Sequence, residues 1–391
     1  MQTEQLSSRA GEYLERQAGY RAFVPRNLPP VPPLIVEDRL LEMLCAAERA
    51  MGRLSGYAES LEVPGGFFEL AQRAEAVNSG RLDGAKVSLV DLLRWELDGR
   101  RGPDGDQHCT GEVRMAANSV DAAMWGLGQV IGGQVGSGLM IQLHARLFKG
   151  LRGRDRGAGQ LRTSEIWIGP SGSTLASAVY VPPPPAMVLD LMRSLERFIQ
   201  ADALHLPPLV RAACVYYQLD TIHPFLDGSG RLARLMIPLM LSGDRMTAPQ
   251  LLSLSDCFAR DRVEHFRRLQ WVRERGDWEG WVAYFLGRMI LAADDAVSRL
   301  SRAERFRRDH RQLVAKRFTG SATAALAVVD SLFVQPVVSV DSVAGIAGRT
   351  FANANLLVQR LEEMGLLTEV TGHRRNRRFC CQAYIRLLAG D

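Results

Sequence analysis

The chain has 391 residues, enough for two or three domains, with 47% hydrophobic and 23% charged side chains, the balance of a globular protein. Its net charge of +5 is too small to mark a nucleic-acid binder by itself, so any such signal must come from local clustering. The start "MQTEQLSSRAGEYLERQ" is charged throughout and lacks the apolar core of a signal peptide.

In chain order, "VPRNLPPVPPLIV" (24–36) reads as a proline-rich extended arm. "EDRLLEMLCAAERAMGRLSG" then spaces its apolar residues as a helix and ends on glycine, and "SLVDLLRWEL" is a second helix. Residues 122–143 carry no charge and suggest a membrane span, but six glycines, three glutamines and a serine there favour a buried helix and a glycine-rich turn. "QLRTSEIWIGPSG" alternates polar and apolar residues between glycines, which predicts a short strand or hairpin. "VYVPPPPAMVLDLMRSLERFI" is a second proline arm feeding a helix, and helices dominate from about 205 to 318. After Phe318 a helix, two helices joined by a tight turn, and two short strands around "HRRNRR" give the order of a winged helix-turn-helix. That turn holds His373, Arg374, Arg375, Arg377 and Arg378, although residues 320–391 carry only seven basic against six acidic side chains. The six cysteines show no metal-ligand spacing and read as reduced thiols of a cytoplasmic protein.

The chemistry concentrates in "DTIHPFLDGSGRLARLMI" (220–237). Pro224 ends one helix and a new one restarts around Ser229, which places Gly228, Ser229 and Gly230 at a helix N-terminus, where free N–H groups and the dipole bind anions. Arg231 and Arg234, three apart, share a helix face and can clamp further phosphates. Asp227 is placed to hold a magnesium ion that also binds the phosphates. His223 is the group here whose pKa suits proton removal near neutrality. Each feature alone reads more simply as a cap, a turn or a solvated face; their order and spacing together describe a nucleotide phosphate site with a general base.

"HPFLDGSGRLAR" resembles the signature of Fic domains, H-P-F-x-[DE]-G-N-G-R-x-x-R, and "YRAFVPRNLPPVPP", "GAGQLRTSEIWIG" and "AVYVPPPP" resemble the arm and flap of long Fic proteins. The resemblance implies a mainly α fold: an N-terminal helical region with the proline-rich arm (1–115), a Fic-type helical core with a small β-hairpin flap (116–318), and a C-terminal winged helix-turn-helix domain (319–391). It implies transfer of AMP from ATP, with Mg²⁺, to a Ser, Thr or Tyr hydroxyl of a target protein and of the chain itself. His223 would deprotonate the hydroxyl, Asp227 would hold Mg²⁺, and Gly228–Gly230 with Arg231 and Arg234 would hold the phosphates. Phe225 would anchor the loop, and Phe258 falls where the family walls its adenine pocket. Removal of AMP, transfer of another phosphate-linked group, or a weakly catalytic DNA- or protein-binding regulator are the alternatives. The implied partners are ATP, the target protein, and DNA or a protein at the winged helix; no membrane is expected, and a homodimer is compatible.

Two departures stand out. Ser229 replaces the family's asparagine, shortening the reach toward a phosphate. "SGRLDG" (79–84) resembles the inhibitory motif [ST]-x-x-x-E-[GN], with Ser79 at its head and Asp83, one methylene shorter, where the inhibitory glutamate would pair with Arg234.

Overall fold

In the computed structural model the described residues are 9–16, 19–60, 66–99, 111–130, 135–151, 157–170, 172–201, 206–318 and 322–389. Fifteen α-helices and five strands lie among them, so the chain is mainly α with small antiparallel sheets. It divides into two compact units, one of residues 1–55 with 118–293, the other of residues 56–117 with 294–391.

The elements run β1 (Gly11–Glu15), β2 (Arg21–Pro25), α1 (Asp38–Ser60), α2 (Gly66–Leu82), α3 (Leu89–Leu97), α4 (Gly111–Val130), α5 (Ser137–Leu147), α6 (Pro185–Ile199), α7 (Pro208–Ile222), α8 (Ser229–Gly243), α9 (Leu254–Ala259), α10 (Arg262–Arg275) and α11 (Trp278–Arg317). They continue with α12 (Ala322–Leu332), β3 (Val337–Ser339), α13 (Val340–Ala347), α14 (Phe351–Glu363), β4 (Thr368–Glu369), β5 (Arg378–Cys380) and α15 (Gln382–Ala389).

The first unit is built around α7. Its segment "ACVYYQLDTI" is buried at every position, as expected of a helix apolar nearly all round. It packs against α6 and α8, and the Trp281 indole N–H donates to the Ala213 carbonyl at 2.9 Å. Each large apolar side chain buried here contributes on the order of 1.5–3 kcal/mol. The uncharged stretch that suggested a membrane is packing surface: a Cβ on Gly126 would lie 2.8 Å from Leu239 and 3.0 Å from Leu143, so glycine lets neighbouring helices approach. Among the described residues no helix is long and apolar enough to cross a membrane. Residues 131–134, in the expected glycine-rich turn, lie outside the described residues.

Several expectations need adjustment. Helix α1 runs through Gly52 and Gly56 to Ser60, because helical glycine is only mildly unfavourable and tertiary packing outweighs it. The β1–β2 hairpin, paired Gly11↔Pro25 to Glu15↔Arg21, was not anticipated; Phe23 N–H ties it to the Val181 carbonyl at 2.9 Å. Among the described residues the flap contains one antiparallel bridge, Ile168↔Tyr180, instead of regular strands, and the Trp167 indole N–H donates to the Ser173 carbonyl at 2.7 Å.

In the second unit, α3 opens with a capping box of Ser88 and Asp91, and α13 with one of Ser339 and Ser342. Helices α13 and α14 pack against each other across a tight turn that contains Gly348 at φ 59°. The sheet order is β3-β5-β4, all antiparallel, and β4 and β5 form a hairpin around the basic turn. The stretch after Cys380 is helix α15, where a continuing strand was expected. Cys45 is exposed, and Cys214, Cys257, Cys380 and Cys381 are buried and free; Cys109 lies outside the described residues. Burial pushes the Cys214 and Cys380 thiols up to about 12, which leaves them unreactive.

Candidate active site

The site forms where α7 stops and α8 starts. Its C-cap, His223, adopts a left-handed conformation (φ 48°, ψ 64°), costly for a residue with a side chain, and Pro224 prevents the helix from continuing. Arg162, buried at the root of the flap, stabilises this geometry. Its Nε donates to the His223 carbonyl at 2.8 Å, and its Nη2 donates to the carbonyls of Pro183 at 2.5 Å and Ile222 at 3.3 Å. The Arg162 N–H adds a bond to the Pro224 carbonyl at 2.9 Å. A cation is thus placed against helix-terminal carbonyls that would otherwise be buried without donors.

The half-buried His223 ring has its Nδ1 at 3.2 Å from the Asp220 carbonyl, which can only accept, so the proton sits on Nδ1 and Nε2 keeps its lone pair. Burial is the main cause holding its pKa below the usual value; the Asp220 carboxylate opposes this, and Arg162 and Arg273 add to it. The ring is therefore a neutral base around pH 7. Beneath it Asp220 pairs with Arg273 at 3.1 Å, while the Arg273 guanidinium lies 3.7 Å from the Tyr180 ring centre. Tyr180 in turn donates its hydroxyl proton to the Thr221 carbonyl at 2.5 Å. The base, α10 and the flap thus share one polar network.

The loop after the histidine is anchored by Phe225, fully buried and stacked on the His144 ring at 3.7 Å and 6°. Asp227 is exposed beside the start of α8, with Gly228 at φ 78° as N-cap. A Cβ on Gly228 would lie 2.6 Å from the Phe148 ring, so both backbone conformation and close packing require glycine. Ser229 is buried, and its hydroxyl accepts the Phe225 N–H at 3.1 Å while donating to the Phe225 carbonyl at 3.3 Å. It therefore braces the loop from inside, where a contact to phosphate had been expected. Arg231 is half-buried and Arg234 is buried.

His223, Asp227, Gly228, Ser229, Gly230, Arg231 and Arg234 thus gather at one helix junction within the first unit. Ser79 and Asp83 belong to the second unit: Ser79 is buried in the last turn of α2, and Asp83 is exposed in the turn after it. Phe258 is fully buried, stacked on Tyr216 and on His265 at 4.4 Å, and is a core ring with no face open to an adenine.

Among the described residues no group of three His, Cys, Asp or Glu side chains could hold a metal on its own. An exposed carboxylate beside a helix N-terminus does fit Mg²⁺, which commonly takes one or two carboxylates with substrate phosphates and water.

The residues that sequence reasoning missed are His144, Arg162, Asp220 and Arg273. Each acts on backbone carbonyls or on a partner distant in sequence, so no local spacing marks them.

Comparison with known proteins agrees with this geometry. The Fic/DOC family domain matches residues 135–241, and the Fic/DOC family N-terminal domain matches residues 41–127. Protein adenylyltransferase fic-1 of Caenorhabditis elegans is 28% identical over 128 residues, 32% of this chain and 22% of that protein. Protein adenylyltransferase Fic of Drosophila yakuba is 33% identical over 84 residues, 21% of this chain and 15% of that protein. The chain thus spans about a fifth of the length of these curated relatives. A Fic family protein from Desulfovibrio desulfuricans shares the fold at TM-score 0.58 and 18% identity, over 89% of this chain and 97% of its own. Fic-1 from Caenorhabditis elegans aligns at TM-score 0.50 and 17% identity, over 68% of this chain and 73% of that one. Residues 41–127 and 135–241 thus match the two domains of the Fic/DOC family, with the histidine, loop and helix of the signature assembled at one junction.

Proposed function

We propose that the chain is a Mg²⁺-dependent protein adenylyltransferase, moving AMP from ATP to a Ser, Thr or Tyr hydroxyl of a target protein. The observation that carries this is His223, whose Nε2 lone pair stands at the head of the loop leading to the α8 N-terminus. Nε2 takes the hydroxyl proton, the oxygen bonds to the α-phosphorus, and the bond from that phosphorus to the bridging oxygen breaks, releasing pyrophosphate. The backbone at 228–230 and the guanidinium groups of Arg231 and Arg234 hold the phosphates and offset their charge. Bound at Asp227, Mg²⁺ would neutralise charge on the leaving group. Relatives named protein adenylyltransferase support this reading. Incubating the purified chain with α-labelled ATP and Mg²⁺ tests it: label retained on the protein after denaturation supports transfer, and label released only as free AMP contradicts it.

The same reading assigns regulation to Asp83, whose carboxylate would compete with the γ-phosphate for Arg234. It divides the labour among an N-terminal regulatory region (1–115), a catalytic region (116–318) and a C-terminal region (319–391). The last we take as a winged helix-turn-helix. In the turn between β4 and β5, His373, Arg374 and Arg375 are exposed, while Arg377 donates to Asn355 on α14 at 3.0 Å and so links the wing to that helix. This favours a wing laid against the phosphates of duplex DNA, with Asn353 and Gln359 exposed on α14 to meet base edges.

A further inference from the structure

We infer that His144 is a positioning residue that sets the plane of the Asp227–Gly228 peptide and so aims the Gly228 N–H at the phosphate site. The inference rests on the adenylyl-transfer reading above and deepens it, because it assigns a role to a residue outside the signature.

His144 lies on α5, 3% exposed, with its ring between Phe225 at 3.7 Å and Phe148 at 4.8 Å. Both ring nitrogens are engaged by backbone. The Gly159 N–H donates to Nδ1 at 2.9 Å, so Nδ1 carries no proton. The proton is therefore on Nε2, which donates to the Asp227 carbonyl at 2.9 Å. A trans peptide is planar, with its C=O and N–H directed oppositely. Fixing the Asp227 oxygen toward His144 thus turns the Gly228 N–H away from His144, toward the open side of the α8 N-terminus.

This constraint matters because an Asp-Gly peptide can flip readily, glycine tolerating both orientations. A flipped peptide would present a carbonyl oxygen to the phosphates where an N–H donor is needed. The Nε2–H bond to Asp227 disfavours that state. The Gly159 bond fixes the tautomer that makes this possible, so the root of the flap and the phosphate loop are joined through one imidazole.

The test uses the full chain and ATP in excess EDTA, so that calorimetry reads phosphate recognition without a metal, alongside kcat and KM with Mg²⁺ present. His144→Phe keeps a stacked ring and removes both hydrogen bonds. It should weaken ATP binding about tenfold and lower kcat. His144→Gln retains an amide able to donate and accept, and should recover most of both. If His144→Phe does not fold, His144→Leu reads the same loss in a smaller side chain. A wild-type chain that binds ATP beside Phe or Leu variants of equal affinity and kcat overturns the role of His144 alone. A wild-type chain that binds no ATP in EDTA yet transfers AMP with Mg²⁺ overturns this role alone, and one that neither binds ATP nor transfers AMP with Mg²⁺ overturns it together with the adenylyl-transfer reading.

Discussion

The hydroxyl of Ser229 holds both backbone polar groups of Phe225, accepting its N–H at 3.1 Å and donating to its carbonyl at 3.3 Å, with the serine fully buried. One side chain thus closes the loop that carries Asp227. Ser229→Ala would leave the buried Phe225 N–H without this partner, a loss of about 1–3 kcal/mol. Urea unfolding should record that loss, and AMP transfer should slow by about tenfold or more as the loop loosens. An asparagine at this position would reach further toward a phosphate, but a bracing serine implies that Ser229→Asn is no faster. A faster asparagine variant would show that the inward hydroxyl limits the site.

His265 offers a test by pH. It is buried in the α7–α10–α11 aromatic cluster, bonded through Nε2 to the Tyr216 hydroxyl at 2.9 Å, and pushed down to about 3 by burial, with Arg234, Arg288, Arg273 and Arg262 adding to the shift. An unfolded histidine titrates near 6.5, so between pH 6.5 and about 3 the unfolded chain binds a proton that the folded chain refuses. Stability from this residue is therefore full above pH 6.5 and falls with pH below it, by at most about 1.4 kcal/mol per unit. Chemical denaturation of wild type and His265→Gln across that range should give lines that converge as pH falls. Parallel lines would place the histidine's proton elsewhere.

Much of the α7–α8 junction could be read locally. Pro224, the Asp227–Gly228 pair and the restart at Ser229 encode the end of one helix, the turn and the start of the next through backbone restrictions within ten residues. What supports that junction could not. Arg162 reaches His223 across 61 residues and His144 reaches Asp227 across 83, and a single arginine or histidine in an apolar stretch carries no periodic signal. The β1–β2 hairpin was hidden for a related reason: "EYLE" and "AFVP" are short, and their pairing gains support from Val181, far along the chain. Ser229 shows the opposite limit, since its identity was plain but its direction depends on how the loop closes.

Asp83 is predicted to restrain the enzyme. Asp83→Gly should raise auto-modification with ATP at least several-fold, by freeing Arg234 for the γ-phosphate. Counting label incorporated per minute into each protein decides this, and an unchanged or lower rate in the variant removes the inhibitory assignment.

The turn between β4 and β5 is predicted to bind DNA through the exposed Arg374 and Arg375. Fluorescence anisotropy of the full chain with a labelled duplex, measured across salt concentrations, should give a linear fall of log affinity with log salt. Replacing Arg374 and Arg375 together with Ala should reduce that slope by about 2, since each phosphate no longer neutralised lowers it by roughly 0.9. No binding by the wild type at low salt would favour a protein partner for this face.

The central claim is that His223 is the general base of AMP transfer. The most direct measurement compares wild type and His223→Ala, recording ATP binding by calorimetry and label transfer from α-labelled ATP on the same preparations. The account predicts nearly unchanged ATP affinity, since the α8 N-terminus, Arg231 and Arg234 remain, with transfer reduced by at least about 100-fold. Because the histidine's pKa is depressed, wild-type transfer should also persist somewhat below pH 6.5 before falling with protonation. Loss of ATP binding together with transfer, or transfer that survives the substitution, would contradict the account.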